Sequence, residues 1–256
     1  MTYLVHTAHA QFVGLWLGVV GWTLTIVTIG LVQWRVWVVD DLSVITSGLA
    51  WVGIWRVCFY SHVLVTSQYD VMFCQKIAIS DAFTPADIAA AQVLMLVALI
   101  LGLVGNAGAV YGLRNIYFGL DEPKPIRLAF SFGGALFLMA GLCSSVPVLW
   151  NLNSVVTNQT IHFPSNFHMP PAPVRQYTGG GIAMGMVSFM LMIISGIIFL
   201  SYRFPVRQGP KVTPQWPEEG HSAIWDPGKS SLFFNKDNTN HCQGRDNRAF
   251  QAEENV

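Results

Sequence analysis

Four stretches of the sequence contain no Asp, Glu, Lys or Arg: Met1 to Trp34, Ile88 to Leu113, Leu128 to Val174 and Gln176 to Tyr202. A helix needs about 20 mostly apolar residues to cross a bilayer, and each stretch holds such a run. Charge collects between them, at Arg35 to Asp87, at Arg114 to Arg127, and from Arg203 onward. One such run is compatible with a buried helix of a water-soluble domain. Four are not, because only 11% of the residues are charged where an ordinary domain carries about 25%. With 52% hydrophobic residues, disorder over the whole chain is excluded. Net charge is zero, so there is no basic footprint for nucleic acid. The chain reads as a mostly α membrane protein, a four-helix transmembrane bundle with spans at about 11–32, 88–113, 128–150 and 180–202. A signal peptide is the competing reading of the first span. That run lacks a basic leader and is long against the roughly 7–15 residues of such an apolar region, so it reads as retained.

An even number of spans puts both termini on one side. With the termini inside, that side carries ten basic residues, including Arg114, Lys124, Arg127, Arg203, Arg207 and Lys211. The other side carries four: Arg35, Arg56, Lys76 and Arg175. The positive-inside rule therefore predicts cytoplasmic termini and two extracellular loops, about 33–85 and 151–179. Residues 1–202 form one four-span unit. The tail 203–256 has Pro205, Pro210, Pro214, Pro217 and Pro227 among polar residues and reads as a disordered cytoplasmic tail.

The first outer loop reads as a small antiparallel β-sheet. Val36 to Val39, Trp51 to Val57, His62 to Val65 and Asp70 to Phe73 are short β-branched or aromatic runs. Cys58 and Cys74 lie in this loop, on the oxidising side. A hairpin pairing them directly would turn at Thr66, within the polar break Thr66-Ser67-Gln68. A disulfide closing such a loop is worth roughly 3 kcal/mol in the loop-entropy model; two buried free thiols are the alternative. The second span opens with Thr84-Pro85-Ala86-Asp87, where Thr84 can cap, Pro85 fits the first helical position and Asp87 sits at the positive helix end. Gly179, Gly180, Gly181 and Gly185 precede or open the fourth span and suit close helix approach.

These residues resemble the claudin family. Claudins carry a tryptophan at the end of the first span, then Gly-Leu-Trp, two residues, a cysteine and a second cysteine. Here Trp34 is followed by Gly53-Ile54-Trp55-Arg56-Val57-Cys58 and then Cys74. Thr84-Pro85-Ala86-Asp87 resembles the family's Leu-Pro-Ala-Asp, and Ala140-Gly141-Leu142 with Val146-Pro147-Val148-Leu149-Trp150 resembles its third span. The likeness covers about residues 9 to 202. Its departures are Ile54 for leucine, Gln92 where most members have arginine, Thr178 for an acidic residue, and 15 residues between the cysteines.

The resemblance implies a tight-junction structural and adhesion protein of the plasma membrane. It implies cis and trans association with itself and other claudins, and restricted flow between cells. In cation-conducting claudins a carboxylate follows the second cysteine; here Gln75 and Lys76 do, which implies a barrier. Asp70 is the charge that the longer hairpin could bring into the path. Phe163 and Phe167 in the second outer loop are candidate trans contacts. Glu254-Asn255-Val256 ends the chain as a candidate ligand for a PDZ-type scaffold. The sequon Asn158-Gln159-Thr160 is a glycosylation candidate, and its closeness to the third span counts against it. The competing function is an auxiliary subunit of a membrane channel or receptor, as some relatives with the Trp–Cys–Cys group are. The seven histidines show no metal-site spacing, and the spans lack the interior charges of pumps. No enzyme, cofactor or metal is expected.

Overall fold

The computed structural model describes residues 9–62, 71–118 and 123–202. Four long helices carry the chain back and forth: α1 (His9–Gly30), α2 (Ala86–Tyr117), α3 (Pro123–Val156) and α4 (Gly180–Leu200). Each is long and apolar enough to cross a membrane. The expected spans are thus present, but α2 and α3 run well past 88–113 and 128–150. Helical hydrogen bonding continues beyond the apolar run at both ends, which charge-free windows do not register.

The first helix is built inside out by the standards of a water-soluble protein. α1 buries Gln11, Gly14, Gly18, Gly21, Thr25 and Thr28, while Phe12, Trp16, Val19, Val20, Ile26 and Val27 point outward. α4 buries Gly185, Ser188, Ser195 and Gly196 beside the larger Ile182, Phe189, Met192 and Phe199, and exposes Val187, Met190, Ile194 and Ile197. Lipid tails are as apolar as leucine, so hydrophobicity gives no reason to bury these side chains. Small residues and interhelical hydrogen bonds bring the helices together instead. The α1–α4 seam shows both. The Thr25 and Ser188 hydroxyls lie 2.7 Å apart, and Ser188 and Ser195 donate across the seam to the carbonyls of Gly21 and Gly14 at 2.8 and 2.7 Å.

A five-stranded antiparallel sheet caps one end of the bundle. Its strands are β1 (Arg35–Val38), β2 (Leu49–Val52), β3 (Arg56–Ser61), β4 (Val71–Lys76) and β5 (Arg175–Thr178), in the order β4-β3-β2-β1-β5. The run Trp51 to Val57 is not one strand, as the sequence suggested. It folds back at Gly53, Ile54 and Trp55, because Gly53 lies against the end of α1. A Cβ there would be 2.9 Å from the Val32 Cα. Cys58 pairs directly with Cys74 in the β3–β4 register, so the expected hairpin symmetry holds. Its turn, with Thr66, Asp70 and most of the run His62 to Val65, lies outside the described residues, as does the tail 203–256.

β5 was not foreseen. It adds the second loop to the sheet by pairing Arg175–Thr178 with β1. A 3-10 turn, Ser165–Phe167, precedes it. One core fills the space between the sheet and this loop, with Trp37, Val52, Val57, Phe59, Ile161 and Phe167 buried. α3 ends in a left-handed closure at Asn158 (φ 51°), whose N–H bonds the Val155 carbonyl while that of Gln159 bonds Ser154. Asparagine tolerates this conformation better than most residues.

The Thr84 cap does not form. Pro85 is the N-cap of α2 and no side chain caps it. The Thr84 hydroxyl donates instead to the Ala78 carbonyl at 2.8 Å, inside a turn that Asp81 closes by accepting from the Ala78 N–H at 2.8 Å.

Gly179, the N-cap of α4, lies directly against the Gln33 carbonyl, whereas the nearest atom to a Cβ on Gly180 is 3.8 Å away. Gly179→Ala is expected to cost about 1–3 kcal/mol and Gly180→Ala nothing measurable. Thermal melting of the full chain in detergent checks both; equal melting temperatures would contradict the close approach.

Candidate functional site

The residues with chemistry gather where the sheet meets the bundle. Arg35 opens β1 as the first charged residue after α1, and Asp87 stands at the start of α2 as the last charge before that helix enters the membrane. They form a buried ion pair, with side chains 2% and 5% exposed. The Arg35 Nη2 donates to Asp87 Oδ2 and, at 2.7 Å, to Asn151 Oδ1 on α3. Asn151 in turn donates to the Asp87 and Pro147 carbonyls at 3.1 and 3.0 Å. Burial pulls the Arg35 guanidinium below its ordinary pKa, and the Asp87 charge opposes that pull.

Beside this pair the fold-back at Gly53-Ile54-Trp55 plugs the top of the bundle. Ile54 is buried with Trp34, Ala91 and Met95, and Trp55 packs against that cluster half-buried. The Trp34 indole donates to the Thr28 carbonyl at 2.9 Å. Gln92, on α2, reaches up to the plug and donates to the carbonyls of Ile54 and Ile77 at 2.6 and 3.1 Å. Its own carbonyl oxygen is buried without a partner. Trp34 and Trp55 therefore hold the sheet onto the helices, while Trp51 lies on the open sheet face in edge contact with Tyr60.

The hairpin is closed by a Cys58–Cys74 disulfide with its Cα atoms 4.2 Å apart. Gln75 pairs in register with Val57, and Lys76 with Arg56. Gln75 thus faces the side of the sheet that carries Val52 and Val57, its Oε1 buried and unpartnered, whereas Lys76 is exposed on the opposite side.

The aromatic residues of the second loop turn inward. Phe167 is 3% exposed and Phe163 half-buried. They stack on each other with centroids 5.4 Å apart, and Phe163 meets Trp37 edge-on at 5.5 Å. Within the single chain they brace the loop. Gln176 completes the brace: it accepts from the Trp37 indole at 2.9 Å and donates toward the Ser154, Val155 and Gln159 carbonyls at the end of α3. Asn158 is exposed. Glu254, Asn255 and Val256 lie outside the described residues.

The sequence reading missed two parts of this site. Arg35 and Asp87 were each seen, as a loop charge and a helix-start charge, but not as partners. Their positions are the available signal: each borders a charge-free window on the same side of the membrane. Gln176 and its strand gave no signal of their own.

The model of the family described as PMP-22/EMP/MP20/Claudin tight junction matches residues 19–201. Claudin-3 of Canis lupus familiaris is 29% identical over 229 residues, covering 89% of this chain and 97% of its own. Claudin-3 of Mus musculus is 30% identical over 190 residues (73% and 80%) and claudin-4 of Bos taurus 28% over 199 residues (77% and 87%).

Gln92→Leu leaves two buried carbonyls unpaired and is expected to cost about 1–3 kcal/mol, whereas Gln92→Arg keeps donors in place and melts close to the parent. Detergent melting curves decide; a leucine variant as stable as the parent would show that the plug does not need these bonds.

Proposed function

The chain belongs to the claudin family and is a multi-pass tight-junction membrane protein of that type; from that premise we propose that it seals the space between cells rather than conducting cations. It associates with itself and with other claudins, in the same membrane and across the junction. The sheet faces outward and both termini lie in the cytoplasm, as the ten-to-four division of basic residues supports.

The observation that carries the sealing reading is the charge at the membrane end of the β3–β4 hairpin. The residue after Cys74 is the neutral Gln75, and its neighbours there are the exposed Arg56 and Lys76. A ring of carboxylates would attract cations, and neither residue that follows Cys74 supplies one. The exposed Asp40 and Asp41 lie in the loop after β1, at the opposite end of strands roughly 13 Å long. Asp41 is held below its ordinary pKa by hydrogen bonds from Ser43, but screening limits its reach to about 8 Å at physiological salt.

Phe163 and Phe167 act in trans by shaping the loop they brace rather than by offering free rings. The C-terminal Glu254-Asn255-Val256 supplies a small apolar side chain and a free carboxylate, which suit capture by a PDZ-type scaffold.

Dilution potentials across epithelial monolayers expressing the protein test the sealing reading. No rise in sodium over chloride permeability is expected, and a rise would refute it. Lys76→Asp, on the exposed face, is expected to shift the preference toward sodium; no shift would mean that this end of the hairpin does not line the path. Freeze-fracture of cells lacking junctions, expressing this chain alone, should show strands at cell contacts; diffuse particles would favour an auxiliary subunit.

A further inference from the structure

We propose that Arg56 and Lys76, beside Trp55, bind the phosphate of a phospholipid headgroup at the rim of the membrane on the sheet side. The site draws on Arg56 and Lys76, as the sealing reading does, but its test reads lipid retention rather than permeability, so the two can fail separately.

The first observation is an unbalanced charge pair. Arg56 and Lys76 are direct cross-strand partners, both exposed and on one face of the sheet. Like charges placed opposite each other destabilise a hairpin. No carboxylate is ion-paired with either among the described residues. An anion between the two would turn this repulsion into attraction.

The second observation is their depth. α1 and α4 have 22 and 21 residues, or about 33 and 32 Å of helix, which matches one hydrocarbon thickness. On the sheet side they end at Gly30 and begin at Gly180, so the hydrocarbon boundary lies there. The fold-back that leads into β3 touches that level, since a Cβ on Gly53 would lie 2.9 Å from the Val32 Cα. Ile54 is sunk into the bundle. The Ile77 N–H, one residue after Lys76, bonds the Trp55 carbonyl at 2.8 Å. Arg56 and Lys76 therefore sit just above the hydrocarbon, where headgroup phosphates lie.

The third observation is the shape and chemistry of the place. An open groove of about 350 Å³ is lined by Trp55, Arg56, Cys74, Gln75 and Lys76. Arginine presents a planar fork of donors that matches phosphate, and lysine adds a point charge. Tryptophan prefers the headgroup level. The recognised group is the phosphate diester common to zwitterionic and anionic phospholipids.

The test uses the full chain in a maltoside detergent, which has no phosphate. Native mass spectrometry counts retained phosphatidylglycerol or phosphatidylcholine, and melting curves read the stabilisation each lipid gives. Arg56→Gln with Lys76→Gln is expected to weaken retention about a hundredfold, since each lost charge-assisted contact is worth about tenfold. Arg56→Lys with Lys76→Arg should retain the lipid. For the parent chain, diacylglycerol with the same acyl chains should give no stabilisation. Equal retention by the Gln variant, or equal stabilisation by diacylglycerol, would overturn the proposal. Stabilisation by inorganic phosphate to the same extent would also overturn it, by assigning the groove to a free anion.

Discussion

A guanidinium and a carboxylate, both buried at the mouth of a membrane bundle, set the geometry of everything above it. Arg35 belongs to the sheet, Asp87 to α2, and Asn151, which bonds both, to α3. Desolvating two charges costs several kcal/mol per ion, and the mutual attraction repays this only when the remaining donors and acceptors are satisfied. Here the second Asp87 oxygen accepts the Ile88 N–H at 2.9 Å, and the Arg35 Nε reaches Asn151 at 3.2 Å. The partners are therefore fixed to one orientation. A sheet resting on apolar contacts alone could slide over the helices; one pinned through β1 cannot. Since β1 lies between β2 and β5, pinning it orients both loops that build the sheet at once.

The pins around this pair act at different depths. Below it, Ile54 enters the bundle and Gln92 ties the plug to α2. To one side, Gln176 ties the last strand to the end of α3 and to Trp37. Two residues along the strands from Arg56 and Lys76, the Cys58–Cys74 bridge closes the hairpin that carries them and Gln75. The sheet keeps two open edges, β4 and β5, and unpaired strand edges are ready templates for association. Self-association of the kind proposed above would gain from edges that are rigidly placed yet unpaired.

Most of this architecture was legible in the residues, and the exceptions share a cause. The spans follow from where charges are missing, and the hairpin register from two cysteines and a polar break, all local features. β5 is four residues long, and its partner β1 lies about 140 positions away; no local pattern announces it. The fold-back at Gly53 interrupts what reads as one strand, because the obstacle, Val32, belongs to another segment. Phe167 reads as a surface aromatic in a polar loop, and it is buried only because Trp37 and Phe83 come to meet it. In the same way Arg35 and Asp87 read as separate rim charges until the bundle closes. What the sequence alone withheld was long-range pairing, and the candidate site is made largely of that.

The central claim is that the Arg35–Asp87 pair locks sheet to bundle, and a double-mutant cycle tests it most directly. Melting of the full chain in detergent would be compared for Arg35→Met, Asp87→Leu and the two together. Removing one partner strands a buried charge and should cost about 3–5 kcal/mol, while removing both should cost less than either single change. Single losses that simply add in the double variant would mean that the two charges act independently, and the sheet would then have to be held by its apolar contacts alone.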